Sequence, residues 1–204
     1  MFREIRRKEK QLTIEECHEI LTKAEYGTLA TMGADGYPYA VSVNYVFHNG
    51  NIYFHCATVG HKLDNIDNCS NVSFNIVTDV WVVPLIPEDI NEFGLRFNGF
   101  DTNFNSVIIF GKAKEVIDRE KMDGLIAFLK KFLNVNEYNQ YKEEGIKYIE
   151  QSLKKTKLIK IEIEHMTGKR GIRKNRELLW SYKEDSTNMD SYIAQAAPNP
   201  AHGV

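Results

Sequence analysis

The residues of this chain best placed for chemistry lie in one stretch, Asn51 to Cys69, which reads NIYFHCATVGHKLDNIDNC. Asn51 to Ala57 alternates like a strand, Thr58-Val59-Gly60 breaks it, and His61, Lys62, Leu63 and Ile66 resume at helical spacing. A strand that ends in a small-residue turn and opens a helix aims several backbone N–H groups at one spot. The helix dipole adds partial positive charge there, so an anion is the expected guest. Thr58 brings a hydroxyl, His61 a titratable donor and Lys62 a fixed cation. Together they outline a phosphate site without the glycine pattern of a P-loop or a dinucleotide fold. An ordinary strand-to-helix connection with a solvated lysine carries the same local signature.

The remaining reactive residues do not assemble into a catalytic set. Ser42 and Ser106 lie in strands, without the G-x-S-x-G elbow that presents a serine for attack. The spacing of His55 and His61 fits no common zinc motif. His55 reads either as a hydrogen-bonded barrel-wall residue or as a ligand-contacting one. Cys56 follows it in the strand and so faces the other way, which argues against a shared metal. The basic run Lys169, Arg170, Arg173, Lys174 and Arg176 is most simply a solvated end, and alternatively a cover over an anionic cofactor.

Composition narrows the class. The 204 residues fit one domain with an appendage, 43% hydrophobic and 26% charged, in the range of soluble globular proteins. A net charge of -2 gives no electrostatic case for nucleic acid or an anionic membrane. Cys17, Cys56 and Cys69 form no CxxC pair, which points to a reducing, cytoplasmic setting. MFREIRRKEKQ resembles neither a signal peptide nor an anchor, and no run has the length and apolarity of a membrane span.

The elements that must position these residues follow from period and punctuation. Thr13 and Glu16 form a capping box before an amphipathic helix with Ile14, Cys17, Ile20, Leu21 and Ala24 on one face. Strands are expected over Tyr26–Met32, Tyr37–Phe47 and Asn51–Ala57, the last two joined by an Asn49-Gly50 hairpin. Val72–Thr78, Ser106–Val116 and Lys157–Glu164 complete six strands, with Gly111 marking a bulge or a close backbone approach. Between them Asp79 to Asn105 shows no sustained period. A helix capped by Asp118 is expected to bury Met122, Leu125, Ile126, Leu129, Phe132 and Leu133. A second, about Glu137 to Leu153, uses Tyr141, Ile146, Tyr148 and Ile149 as anchors. The early strands lack room for crossover helices, so the class is mainly β: a six-stranded antiparallel barrel with peripheral helices. The expected organisation is a single domain over 1–185 and a disordered tail over 186–204.

Four ordered blocks carry a resemblance: YGTLAT from Tyr26, GYPYAVSVNY from Gly36, IYFHCA from Ile52 and GHKLDNI from Gly60. With SVIIFGKA from Ser106 and Thr167-Gly168-Lys169, the chain from about Phe2 to Gly168 resembles the pyridoxamine 5′-phosphate oxidase-like FMN-binding split barrels with Greek-key character. The branch is that of the 5-nitroimidazole resistance proteins. The resemblance implies a homodimer with FMN at the subunit interface. It implies ring contacts along Ser42, Val43, Asn44 and from His55 through Cys56 and Ala57 to Thr58, and phosphate contacts at His61 and Lys62. The partner subunit contributes from the strand opening at Ser106. Where the oxidase carries Arg-Lys this chain has His61-Lys62, so a permanent charge becomes a titratable one. The oxidase's pyridoxal-phosphate contacts have no clear counterparts here. The implied activity is FMN-dependent reduction of small electron-poor aromatics, nitroimidazole-like, with electrons from NAD(P)H. The alternatives are a flavin- or haem-binding protein on the same barrel without turnover, and a structural dimer with an empty site. Flavin chemistry needs little from side chains, which suits a site without a catalytic triad. His55 is the one weak catalytic candidate, and no metal is expected.

Overall fold

The computed structural model describes residues 2–83, 86–91, 94–98 and 101–171. The chain divides into two compact units, one formed by Met1–Val80 with Phe104–Arg170 and the other by Trp81–Asn103 with Gly171–Val204. The candidate site residues from Ser42 to Ser106 all lie in the first.

In that unit α1 (Ile14–Lys23) begins at Thr13, and the capping box is complete. The Thr13 Oγ1 accepts from the Glu16 N–H at 3.2 Å, and the Glu16 carboxylate accepts from the Thr13 N–H at 2.8 Å. Two hairpins follow. β1 (Tyr26–Met32) pairs with β2 (Pro38–Asn44), and β3 (Val46–His48) pairs with β4 (Asn51–Cys56). Asn49 and Gly50 both take positive φ, 48° and 73°, as a type I′ turn requires. After α2 (His61–Asn68) come β5 (Asn71–Val83), then β6 (Ile86–Asn91) and β7 (Gly94–Asn98) of the second unit. β8 (Asp101–Val116), α3 (Asp118–Phe132), α4 (Val135–Ser152) and β9 (Lys157–Gly171) complete the chain. No described helix is long and apolar enough to cross a membrane.

The main sheet is antiparallel where its registers are resolved and runs β2-β1-β5-β8-β9-β4-β3. Its two outermost strands are consecutive in sequence, with only Tyr45 between them. The sheet therefore curls until its ends meet, and β2 and β4 come near each other without pairing. This is a split barrel, with seven strands rather than the expected six because the run Tyr37–Phe47 breaks at Tyr45.

The break has a physical cause. Tyr45 is fully buried, and its hydroxyl donates to the Leu21 carbonyl at 2.8 Å. The Lys131 ammonium, from α3, donates to the Tyr45 carbonyl at 2.9 Å and to the Ala24 carbonyl at 2.6 Å, and sits 3.9 Å from the Tyr45 ring centroid. These bonds hold Tyr45 at the point where the strand is interrupted, and the cation over its ring adds to the hold.

Two hydrophobic cores result. Leu29, Ile52, Phe54, Phe74, Ile76, Val107, Ile109, Ile159 and Ile161 fill the barrel together with Leu21 of α1. Outside it, Val46, Tyr53 and Leu158 pack under Leu125, Phe128 and Ile149 of α3 and α4. Three expectations about these helices change. Asp118 is the first residue of α3, not its cap; Ile117 holds that position with no side-chain bond. Tyr141 and Tyr148 are exposed, so Ile149 alone of the four expected anchors of α4 is buried. Phe132 is also exposed rather than core.

The illegible segment 79–105 resolves into the end of β5, a hairpin and the start of β8. In the second unit β6 and β7 pair from Ile86↔Asn98 to Asn91↔Gly94, with an irregularity between Pro87 and Asp89. The expected tail, 186–204, and Arg173, Lys174 and Arg176 lie outside the described residues.

Gly111 marks a close approach between β8 and β9. A Cβ there would stand 2.2 Å from the Glu162 carbonyl oxygen and 3.0 Å from the carbonyl carbon, both backbone. Neither atom can swing aside without parting the strands. Gly111→Ala is expected to destabilise the protein by about 1–3 kcal/mol, the usual cost of overpacking. Urea unfolding measures this, and an unchanged midpoint would mean that β8 and β9 separate freely.

Candidate functional site

The seam between β2 and β4 collects most of the residues singled out from the sequence. Alternation along β2 turns Ser42 and Asn44 outward and leaves Val41 and Val43 against the barrel core. In β4, His55 faces outward while Phe54 and Cys56 face the core. Only the backbones of Val43 and Cys56 are thus available to a ligand on the outer surface. β2 ends the sheet, so among the described residues its outer edge has no ladder partner. Ala57 and Thr58 are exposed in the turn beyond β4.

The turn then opens α2 as the sequence predicts. Gly60 caps the helix with φ 141°, a conformation that side chains resist, and an added Cβ would meet nothing within 4 Å. The Gly60 carbonyl accepts from Leu63 at 2.8 Å and Asp64 at 3.2 Å, and the His61 and Lys62 N–H groups of the first turn have no backbone acceptor among the described residues. The helix is pinned to the barrel from its buried side. Asn65 donates to the Thr31 Oγ1 at 2.9 Å, and the Thr31 hydroxyl donates to the Tyr39 carbonyl at 3.4 Å. The His61 ring lies 4.2 Å from the Tyr39 ring, tilted by 38°. Burial pushes the Cys56 thiol above its ordinary range, with Lys62 and Lys157 pulling the other way. The cationic head of Lys62 therefore lies within electrostatic reach of the end of β4.

α3 adds a wall that the sequence did not announce. Phe128, Leu129, Phe132 and Leu133 face Asn44 and His55 across a cleft of about 350 Å³. The His55 ring meets Phe128 edge to face at 4.9 Å and 70°. Burial holds its imidazole below the usual histidine range, so it is neutral at neutral pH. His55 is thus a partly buried residue at the edge of the sheet, packed against an aromatic ring. The signal available in the sequence was a stripe too wide for one buried face, running from Met122 to Leu133.

Two expected contributors stand elsewhere. Ser106 is on β8, separated from β4 by β9 and from β2 by β5 and β1, so one chain does not bring it to the seam. Arg170 is engaged away from it, bonded to the Glu16 carboxylate at 2.9 Å and to the Asn105 amide oxygen at 3.2 Å. Asn105 in turn donates to Asp79 at 2.6 Å. Lys169 stands 5.5 Å from the Phe104 ring centroid. These two residues tie α1, β5, β8 and β9 together and do not form a cover.

A barrel opened along one seam, with a helix N-terminus at the lip, is the split-barrel architecture. The chain belongs to the pyridoxamine 5′-phosphate oxidase family, whose sequence profile matches residues 13–170. No curated protein matches it by sequence. Among solved structures, a candidate 5-nitroimidazole antibiotic resistance protein from Bacteroides thetaiotaomicron is 17% identical over 78% of this chain and 85% of its own, with a TM-score of 0.57. A conserved hypothetical protein from Mycobacterium tuberculosis is 17% identical over 82% and 90%, with a TM-score of 0.59. An FAD- and haem-binding protein from Mycobacterium smegmatis is 16% identical over 85% and 80%, with a TM-score of 0.54. At these identities the likeness is one of fold.

The lowered pKa of His55 carries a stability consequence. Its contribution is full above the unfolded value of about 6.5 and is lost as pH falls through the lower folded value. Thermal denaturation between pH 7 and 5 should therefore decline more steeply for the wild type than for His55→Phe. Parallel curves would mean that the native ring titrates as it does in water.

Proposed function

We propose that the seam binds FMN and that the protein is a flavin-dependent reductase of small electron-poor aromatic compounds, taking electrons from NAD(P)H. The observation that carries this reading is the joint placement of an anion cradle and a flat, outward strand surface along one seam. Bound FMN would supply the redox chemistry, passing two electrons from the reduced nicotinamide to the acceptor. The residues present fit such a group. Thr58, the His61 and Lys62 N–H groups and the Lys62 ammonium form a donor set suited to a phosphate monoester. The unpaired edge of β2 beside Ser42 and Asn44 supplies backbone donors and acceptors for a ring with an amide-like edge. His55, neutral and held by Phe128, can donate or accept one hydrogen bond at the opposite wall. Family membership supports a phosphorylated cofactor on this barrel, and the flavin-binding neighbours of like fold agree with it.

The reading includes a homodimer. Ile108 and Phe110 of β8 point outward at 38% exposure each, next to Phe2, which stacks on Phe110 at 5.4 Å. An uncovered strand face of this kind suits a second copy, which would carry Ser106 to the partner's seam.

Purified protein is expected to take up FMN and show the absorption of oxidised flavin. A Soret band would replace flavin by haem, and no uptake of either would sink the reading. Lys62→Ala should raise the FMN dissociation constant roughly ten- to a hundred-fold, the loss of one charge-assisted bond of about 1.5–3 kcal/mol. An unchanged titration would return Lys62 to the solvent. In sedimentation equilibrium the protein should remain dimeric at low micromolar concentration, and a monomer that retains flavin would contradict a shared site.

A further inference from the structure

Two side chains at the base of α2 have a chemistry that their places in the core do not call for. Thr31 and Asn65 are the two polar, non-aromatic residues that are buried among the described ones, each 3% exposed. Thr31 shares a face of β1 with Gly27 and Leu29, the face that alternation turns toward the core. Asn65 lies on α2 between Leu63 and Ile66, whose side chains both join the barrel core. An apolar residue is the ordinary occupant of either position. Valine and leucine are of similar size, and would fill the space without taking a hydroxyl and an amide out of water.

The contacts the pair makes are directional. The Asn65 amide donates to the Thr31 Oγ1 at 2.9 Å, and the Thr31 hydroxyl donates to the Tyr39 carbonyl at 3.4 Å. Tyr39 is opposite Thr31 in the β1–β2 ladder, and its ring lies 4.2 Å from that of His61. These contacts close a circuit from α2 to β1, from β1 to β2, and from β2 back to α2. Its two ends on the helix, His61 and Asn65, are about one turn apart, with Lys62 between them. The burial of Leu63 and Ile66 keeps the helix on the barrel, but apolar burial is non-directional and resists rotation weakly. A short hydrogen bond on one side and a ring contact on the other fix the rotation. Two buried polar groups that satisfy each other add little stability over an apolar pair of the same shape. Orientation is what they add.

We propose that Thr31 and Asn65 are positioning residues for the phosphate cradle: without touching the ligand, they set the rotation of α2 that brings Lys62 and the His61 and Lys62 N–H groups to bear on one phosphate. The inference rests on the reading of this helix opening as the phosphate end of a flavin site. It deepens that reading by naming what makes the site selective for the phosphorylated form of its ligand.

The test compares ligands with and without a phosphate on the full chain. FMN and riboflavin are titrated by flavin fluorescence, and inorganic phosphate by the NMR shifts of the His61 and Lys62 amides. Thr31→Val/Asn65→Leu makes both partners apolar and should keep the wild-type urea midpoint. Its preference for FMN over riboflavin should fall about ten-fold, and its phosphate affinity by a similar factor, with riboflavin binding unchanged. Thr31→Val alone should lose the same preference, whereas Thr31→Ser, which keeps the hydroxyl, should retain it. A structural role alone would weaken FMN and riboflavin together, and that outcome would overturn the proposal. So would a folded double variant with the wild-type preference, or a Thr31→Ser protein that loses as much of it as Thr31→Val. The serine comparison decides the matter if the double variant does not fold. A wild type that binds phosphate but neither flavin would overturn the flavin reading by itself, because the phosphate titrations still test the pair. A wild type whose His61 and Lys62 amides ignore phosphate would overturn the proposal.

Discussion

The Lys131 ammonium is the point on which the architecture turns. One cation from α3 is bonded to the carbonyl of Ala24, which caps the C-terminus of α1, and to the carbonyl at which the run Tyr37–Phe47 breaks. It meets the C-terminal end of α1, where the helix dipole favours positive charge, and covers the ring of Tyr45. Burial lowers its pKa to about 8 against the pull of Glu25, so the cation is retained at neutral pH at a desolvation cost that the two carbonyls and the ring offset. Because Tyr45 is held there, β2 ends at Asn44, the strand resumes as β3 at the opposite end of the sheet, and the barrel acquires a seam. Because Lys131 belongs to α3, the same contact sets the Phe128–Leu133 wall against that seam. The seam and the cleft beside it share one fixed point.

The layered packing explains why only part of the outer surface is open. α3 and α4 cover the outer faces of β3, β4 and β9 through Tyr53, Leu158 and Ile149. Tyr53 is fixed further by donating to the Glu120 carboxylate at 2.9 Å, while Lys160 meets the same carboxylate at 2.8 Å. Burial, and after it that bond, push the phenol up to about 12, so the contact stays neutral–anionic throughout the physiological range. The cover stops at Phe128 and Phe132, and His55 emerges where it stops. On β8 the outward residues run from the apolar Ile108 and Phe110 to Lys112 and Lys114, which pair with Glu164 and Glu162 of β9.

Much of this was legible in the sequence. The capping box at Thr13, the Asn49-Gly50 turn, the strand-to-helix opening at His61 and the close approach at Gly111 each depend on local chemistry, and each appears where the residues demand it. What was not legible is non-local. The break at Tyr45 leaves no trace in alternation, because a tyrosine at that position continues the period; its cause lies in Lys131, 86 residues away. Phe132 and Leu133 looked like core because a helical stripe records apolarity and not what covers it. The 79–105 segment defeated periodicity because it joins the ends of two long strands to a hairpin, with Asp79 at a positive φ of 53° where β5 turns irregular.

The pairing of β4 with β9 sets the order in which the molecule can form. Ile52 meets Ile161 and Cys56 meets Lys157, so the wall that completes the seam joins residues separated by roughly 100 positions. The N-terminal end is tied to the same strand, where the Leu12 N–H donates to the Gly168 carbonyl at 2.9 Å. During synthesis the first hairpins, α1 and α2 are complete long before β9 leaves the ribosome. At about 5–20 residues per second that interval is roughly 5–20 s. For its duration β4 has β3 on one edge and an open ladder on the other, with Phe54 and Ile52 still facing water. The seam is not complete until the last strand arrives, so a ligand that binds along it can stabilise the chain only after β9 has paired.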